Sequence, residues 1–89
     1  MPIPRARVTL VWLPPAARDF DTLREPYRTQ VDVMLTRFAL YGEGDVARVM
    51  DSPGALRLKT RSHREHYRVR FRLHGEQMVI LAVERRDKV

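Results

Sequence analysis

The feature that most restricts the fold of this chain is a strict alternation of apolar residues and arginines in the segment 67–73, YRVRFRL. Successive side chains of a β-strand point to opposite faces of a sheet, so this spacing predicts a strand with one apolar and one cationic face. The segment 56–59, LRLK, repeats the pattern and predicts a neighbouring strand, joined to the first through a turn at 62–65. After a turn at His74-Gly75, the apolar run 78–83 predicts a central strand covered on both faces.

The first half of the chain predicts one strand and then two helices. The segment 7–13, RVTLVWL, is rich in β-branched and aromatic residues and ends at Pro14-Pro15, as a strand does. These prolines open a short helix that Pro26 interrupts. Pro26 also starts a second helix, in which apolar residues recur at helical spacing: Tyr27, Val31, Met34, Phe38 and Tyr41.

The segment 42–54 predicts the end of the second helix and a connector. Gly42 and Gly44 stop the helix. The connector, 45–54, predicts either a helical turn or a short extended piece, and it closes in a Ser-Pro-Gly turn. We therefore expect an α+β fold of order β-α-α-β-β-β, an antiparallel sheet with the two N-terminal helices packed on one face.

Length and composition predict a single cytoplasmic domain, residues 1–89. A chain of 89 residues buries one modest core, and 44% hydrophobic with 31% charged residues is a globular composition. The sequence contains no cysteine, which excludes disulfides and thiolate metal sites. No apolar run approaches the length of a membrane span, and the N-terminal run stops at Pro14 without a signal-peptide cleavage site.

The charge of the chain is strongly positive and concentrated on one side of the predicted sheet. Seventeen Lys and Arg against eleven Asp and Glu give a net charge of +6. Strand parity puts six cations on the face away from the helices: Arg57, Lys59, Arg61, Arg68, Arg70 and Arg72. Like charges directly opposite each other cost about 0.2 to 1 kcal/mol per pair, which favours a polyanion as partner. The alternative is a solvated face covered by long side-chain stems.

The same segments resemble the C-terminal half of toxins of the RelE/ParE superfamily. The family pattern is a basic strand, a Tyr-Arg strand, a hairpin, an apolar strand and a closing basic segment. In this sequence these pieces are Leu56-Arg57-Leu58-Lys59, Tyr67-Arg68-Val69-Arg70-Phe71, His74-Gly75, Met78 to Val83, and Arg85-Arg86. The order of the first half, a strand and two helices, matches as well.

The resemblance implies the toxin of a type II toxin–antitoxin pair. In the RelE-like branch, which we favour, the toxin is a ribosome-dependent endoribonuclease that cuts mRNA and thereby inhibits translation, without a metal or other cofactor. ParE-like members are similar but inhibit DNA gyrase, and an inactive relative that only binds a partner is a further alternative. The implied partners are mRNA on the ribosome and a separate acidic antitoxin chain, with which the toxin forms a hetero-oligomer.

The resemblance also implies roles for individual residues. Lys59 corresponds to a general base, Arg68 to the holder of the scissile phosphate, and Arg86 to the group that stabilises the leaving side. The further RNA-binding positions are cations on or beside the same strands: Arg57, Arg61, Arg70, Arg72 and Arg85. The chemistry is attack of the RNA 2′-hydroxyl on the adjacent phosphate, with clustered cations stabilising the phosphorane.

Two departures from the family pattern and two histidines leave alternatives open. Glu84 stands where the family usually has glycine, and the tyrosine that commonly follows the last valine is absent after Val89. Both departures count against catalysis, and the missing tyrosine is compatible with a shortened sequence, with a weakened nuclease or with the gyrase-directed branch. His63 and His66 predict solvent-facing turn residues, with general-base catalysis by one of them as a second hypothesis and zinc binding as a third. We expect no metal site.

Overall fold

In the computed structural model, two helices pack on a five-stranded sheet. The structure describes residues 8–50, 52–59 and 66–86, the last range without the side chains of residues 66 and 86. The elements in chain order are β1 Thr9–Trp12, α1 Pro14–Asp21, α2 Tyr27–Tyr41, β2 Asp45–Arg48, β3 Leu56–Lys59, β4 His66–His74 and β5 Gln77–Arg86. The predicted α+β class is confirmed.

The sheet is mixed, with the strand order β1-β5-β4-β3-β2. The pairs β2–β3, β3–β4 and β4–β5 are antiparallel, as expected. The pair β1–β5 is parallel, so the expectation of a wholly antiparallel sheet is wrong at this edge. No hairpin joins β1 to β5, and side-chain alternation within a strand carries no information about the direction of its neighbour.

The connector after the second helix forms the other edge of the sheet. Residues 45–48 are extended and make β2, which decides between the two alternatives that the sequence left open. The turn that follows is closed by the Val49 N–H, which donates to the Ala55 carbonyl at 3.1 Å. The sheet therefore has one strand more than the pattern β-α-α-β-β-β.

The start of α1 and both ends of α2 lie at the prolines and the glycine expected, whereas α1 ends at Asp21, before Pro26 is reached. Pro14 and Pro15 occupy the first turn of α1, where their missing N–H groups leave no helical hydrogen bond unmade. At the start of α2 the Glu25 carboxylate accepts hydrogen bonds from the Thr29 N–H at 2.9 Å and the Thr29 hydroxyl. These bonds lower the pKa of Glu25 below its usual value of 4.5. Gly42 ends α2 in the left-handed conformation, with φ of 70°.

The core lies between the helices and one face of the sheet. Its buried side chains include Val31, Leu35 and Phe38 of α2 and Leu58, Val69, Phe71, Met78 and Ile80 of the sheet. The Phe38 and Phe71 rings meet edge to face with centroids 5.2 Å apart. Tyr41, which helical spacing assigned to the apolar face, is 57% exposed because it lies in the last turn of α2, beyond the core.

The strand β5 lies in the interior of the sheet, between β1 and β4, but has only one fully covered face. Met78, Ile80 and Val83 are buried under the helices. Ala82 and Val79 of the opposite face are only partly buried, so the expectation of cover on both faces is wrong. Their register partners on β4 are Arg70 and Arg72, respectively, whose long apolar stems provide the partial cover.

None of the helices in the described ranges is long and apolar enough to cross a membrane.

Candidate nucleic-acid interface

Four cations lie together on the face of the sheet that points away from the helices. We define the cationic ladder as Arg57 and Lys59 of β3 with Arg68 and Arg70 of β4. In the register of these strands Arg57 is opposite Arg70 and Lys59 is opposite Arg68. Paired residues of neighbouring strands lie about 5 Å apart at their Cα atoms and share a face. The expected juxtaposition of these four residues is therefore confirmed.

The packing of β3 and β4 explains why the cations take this face. Leu58 and Val69 are register partners, and both are completely buried against the helices. Because side chains alternate along a strand, their neighbours in sequence turn to the open face. All four residues of the cationic ladder are partly exposed there.

Acidic residues stand at both ends of one row of the cationic ladder. Asp45 of β2 is the register partner of Lys59, and Glu84 of β5 is the register partner of Arg68. Across four strands this row therefore reads Asp45, Lys59, Arg68, Glu84. The next row is different, because Arg57 and Arg70 are flanked by Ala47 and Ala82. The acids limit the cationic surface to the width of two strands.

Glu84 forms an ion pair within this surface. Its Oε1 lies 2.7 Å from Nε of Arg70, the distance of a charge-assisted hydrogen bond. The two side chains are 41% and 43% exposed, respectively, so solvent screens the pair and lowers its contribution to stability. The carboxylate also reduces the positive potential at its register partner, Arg68.

Arg57 carries an unusual unpaired donor. Its Nε is buried from solvent and has no hydrogen-bond partner, although the residue as a whole is partly exposed. The guanidinium has five N–H donors and no acceptor, so an unused donor is satisfied best by an anion or a carbonyl oxygen. Beside it, on β4, is the like charge of Arg70. The buried Nε of Arg57 therefore carries a desolvation cost that no hydrogen bond offsets.

Arg72 has a structural contact instead of a place in the cationic ladder. Its Nη1 donates to the Pro53 carbonyl at 2.9 Å, and its Nη2 reaches the Ser52 hydroxyl at 3.4 Å. These bonds hold the β2–β3 turn against β4. The strand β3 begins at Leu56, opposite Phe71, so β3 offers no cation opposite Arg72. The sequence assigned this residue to RNA binding, whereas its guanidinium is directed at the turn.

Of the two basic residues near the end of β5, Arg85 lies on the helix side of the sheet. Arg85 is the register partner of Tyr67, whose side chain is buried on the helix side, and so Arg85 does not join the cationic ladder. Arg86 pairs with His66 in register, two positions beyond Glu84. The side chains of Arg86 and His66, and the whole of Arg61 and His63, lie outside the described residues.

A cleft on the helix side contains Arg85. It has a volume of about 530 Å³ and is lined by Asp19, Thr22, Leu23, Arg24, Tyr27, Tyr67, Val83 and Arg85. In its wall Oδ2 of Asp19 accepts a hydrogen bond from the Val83 N–H at 3.2 Å. The pairing of β1 with β5 ends at Ile80. The Val83 N–H therefore lies on a stretch of β5 that β1 does not cover. Asp19 thus fastens α1 to the uncovered edge of β5.

The acids of the interface are the residues that sequence reasoning missed. Glu84 was identified only as a departure from a glycine, and Asp45 was assigned to a connector. Parity gave a signal for Glu84, since it lies two residues from Ala82 on the open face. No such signal placed Asp45 on the open face, because a four-residue strand is too short for its alternation to be recognised.

Three solved structures share this fold. A chain of the intact E. coli RelBE toxin–antitoxin complex has a TM-score of 0.71 and 16% identity, covering 91% of this chain and 99% of that one. A chain of the chromosomal ParDE toxin–antitoxin system of P. aeruginosa has a TM-score of 0.63 and 19% identity, covering 92% and 99%. A chain of the M. tuberculosis RelBE2 toxin–antitoxin complex has a TM-score of 0.54 and 21% identity, covering 96% and 98%. No protein-family model and no curated protein matches the sequence.

The fold is therefore the one found in RelE- and ParE-type toxin–antitoxin complexes, over nearly the whole length of the compared chains. The resemblance first noticed in the short basic motifs is confirmed at the level of the fold, since the strands that carry those motifs occupy the expected places in the sheet.

Proposed function

We propose that this protein is the toxin of a type II toxin–antitoxin pair and cuts mRNA on the ribosome, in the cytoplasm and without a metal. The observation that carries the proposal is the cationic ladder on the open sheet face. Two like-charged pairs in direct register oppose folding, and their grouping is understandable if the face binds a polyanion. The shared fold with chains of toxin–antitoxin complexes supports the toxin role.

The geometry suits transfer of a phosphoryl group within RNA. In this reaction the 2′-oxygen attacks the adjacent phosphorus, the bond from phosphorus to the 5′-oxygen breaks, and a 2′,3′-cyclic phosphate and a 5′-hydroxyl result. We assign to Lys59, acting as the unprotonated amine, the removal of the 2′-hydroxyl proton and to Arg68 the binding of the phosphate oxygens. These two residues are register partners, so one phosphate can lie between them. Arg86, two positions beyond Glu84 on β5, is assigned to the leaving 5′-oxygen. The leaving 5′-oxygen takes up a proton from water.

The remaining cations are assigned to the flanking phosphates. Arg57 and Arg70 form the second row of the cationic ladder, about 7 Å further along the strands. This spacing is close to the distance between successive phosphates of an extended strand. Arg85 lies on the helix side, and Arg72 holds the β2–β3 turn, so their contribution to RNA binding is indirect.

The proposal is tested by incubating the purified protein with translating ribosomes and mapping mRNA ends by primer extension. We expect new ends within the translated region of the mRNA, formed equally well when the protein has been dialysed against EDTA before it is added to ribosomes in their magnesium buffer. The variant Arg68→Ala is expected to fold, because the position is partly exposed and outside the core, and to produce no new mRNA ends. Intact mRNA with the wild-type protein overturns the nuclease assignment.

Gyrase inhibition is the second candidate, favoured by one observation. Glu84 neutralises part of the face that a nuclease of this kind would use, through its ion pair with Arg70. The fold is also that of a chain from the ParDE system. A supercoiling assay with purified DNA gyrase separates the two functions, because inhibition of supercoiling with intact mRNA identifies the second.

An acidic antitoxin is the protein partner we propose. Large apolar side chains are exposed on α2, β2, the following turn and β4: Val33, Tyr41, Val46, Met50 and Leu73. A chain that combines carboxylates with apolar residues complements both these exposed apolar side chains and the cationic ladder. Co-expression of the small acidic product of an adjacent gene is expected to relieve growth inhibition and to raise the melting temperature of the toxin. If the protein alone does not inhibit growth and no adjacent gene encodes a small acidic protein, the toxin assignment is contradicted.

A further inference from the structure

The ion pair of Arg70 and Glu84 places a carboxylate of the protein where a phosphate of a ligand would bind. We infer that Glu84 is an internal counter-anion, which occupies Arg70 in the free protein and gives way to a phosphate of the bound RNA. The residue thereby sets the affinity of the face and its preference for chains of phosphates over single phosphate ions. This inference rests on the proposed RNA-binding function and concerns the same surface.

The contact has the chemistry needed for such an exchange. Arginine binds carboxylate and phosphate with the same N–H donors, so a phosphate oxygen is a direct replacement for Oε1 of Glu84. Oε1 of Glu84 lies 2.7 Å from Nε of Arg70, and both side chains are more than 40% exposed. The carboxylate can therefore leave Arg70 by rotating its side chain into solvent, without any change in the strands.

The surroundings of the pair explain why a counter-anion is needed in the free protein. Arg70 lies opposite Arg57 and two residues from Arg68. Its register partner on β5 is Ala82, which carries no charge. Glu84 reaches Arg70 diagonally from the row of Arg68. The carboxylate reduces the repulsion among these three arginines when no ligand is present.

The same arrangement explains a preference for polyanions. A single phosphate ion that displaces Glu84 exchanges one ion pair for another and gains little. A strand of RNA that displaces Glu84 simultaneously contacts the other partly exposed cations of the cationic ladder. The interface therefore responds to ligands with several phosphates in sequence.

The test compares Glu84→Gln with a control of equal charge, Glu76→Gln. Glu76 lies in the β4–β5 turn, at the opposite end of β5 from Glu84, so its replacement changes net charge without touching the cationic ladder. The probe is a fluorescein-labelled twelve-nucleotide single-stranded RNA, titrated with each protein and followed by anisotropy at several NaCl concentrations. Thermal melting shows that both variants are folded.

We expect Glu84→Gln to bind this RNA roughly threefold to tenfold more tightly than the wild type at low salt, the effect of one charge at about 5 Å in water. Because Arg70 contacts phosphate in both complexes, the slopes of log Kd against log[NaCl] for the two proteins should differ by less than about 0.7, the value for one phosphate contact. Inorganic phosphate should compete better against the variant than against the wild type. Glu76→Gln should differ from the wild type by less than about twofold, since its charge is distant and screened.

Equal RNA affinities of Glu84→Gln and Glu76→Gln overturn the inference. Weaker RNA binding by Glu84→Gln also overturns it, because the carboxylate would then position Arg70 for the RNA. An effect of Glu84→Gln on binding of an acidic antitoxin peptide, without an effect on RNA, also overturns it. These outcomes differ from failure of the proposed function. A protein that shows the expected shift in RNA affinity but leaves ribosomal mRNA intact retains the counter-anion and loses the nuclease assignment.

Discussion

Replacing Arg57 by threonine should make the protein more stable and its interface weaker. The side chain lies opposite Arg70, and a like-charged pair in register costs about 0.2 to 1 kcal/mol. Its buried Nε has no hydrogen-bond partner, which adds a desolvation cost, while the loss of its apolar stem acts in the opposite direction. We expect Arg57→Thr to raise the free energy of unfolding by about 0.5 to 1 kcal/mol, since threonine also suits a strand.

For a domain of this size the gain corresponds to an increase of about 2 to 8 °C in melting temperature. The assay is thermal and urea unfolding followed by circular dichroism, at low and at high NaCl. Salt should stabilise the wild type and narrow its difference from the variant, because screening weakens the repulsion that the substitution removes. The same variant should bind single-stranded RNA several-fold more weakly than the wild type.

A matched control is Arg48→Thr, which also removes one positive charge from a strand. Arg48 is exposed on β2 and lies opposite Leu56, so its replacement relieves no like-charged pair. We expect its stability to lie within about 0.5 kcal/mol of the wild type. If Arg57→Thr is no more stable than Arg48→Thr, or is destabilised, the cationic ladder does not oppose folding and the reasoning from repulsion to function is refuted.

Three further predictions concern the site and its support. Arg68→Ala should abolish growth inhibition on induction while retaining the wild-type circular dichroism spectrum, and a toxic, folded variant would remove Arg68 from the site. Asp19→Ala should lower the urea-derived free energy of unfolding by about 1 to 2 kcal/mol, because the Val83 N–H loses its acceptor; unchanged stability would show that the bond is dispensable. The hydrogen bonds that lower the pKa of Glu25 stabilise the folded state at pH values above the pKa of the unfolded chain, and this stabilisation is lost as the pH falls through the lowered pKa. The variant Glu25→Gln should therefore lose less stability than the wild type between about pH 5 and pH 3.

The fold was predictable where local chemistry decides it. Alternation along β3 and β4 identified both strands and assigned the correct faces to Leu58, Val69 and the cations between them. Pro14 and Gly42 identified a helix start and a helix end, because each has a conformational preference that few positions satisfy. These features depend on spacing and backbone preference within about ten residues.

The rest depended on pairing between distant segments. The parallel direction of β1 against β5 and the position of β2 at the sheet edge follow from how the whole chain packs. The ion pair of Glu84 with Arg70 depends on the register of β4 and β5, which includes an irregularity next to Arg70. Side-chain alternation places a residue on a face but does not identify its neighbour on the adjacent strand.

The measurement that tests the polyanion site most directly is the salt dependence of RNA binding with and without half of the cationic ladder. The proteins are the wild type and the double variant Arg57→Ala with Lys59→Ala, and the ligand is the same twelve-nucleotide RNA. Loss of two phosphate contacts should weaken binding and reduce the slope of log Kd against log[NaCl] by about 1.4, at about 0.7 per contact for single strands. An identical slope for the two proteins would show that these cations contact no phosphate and form only a solvated face.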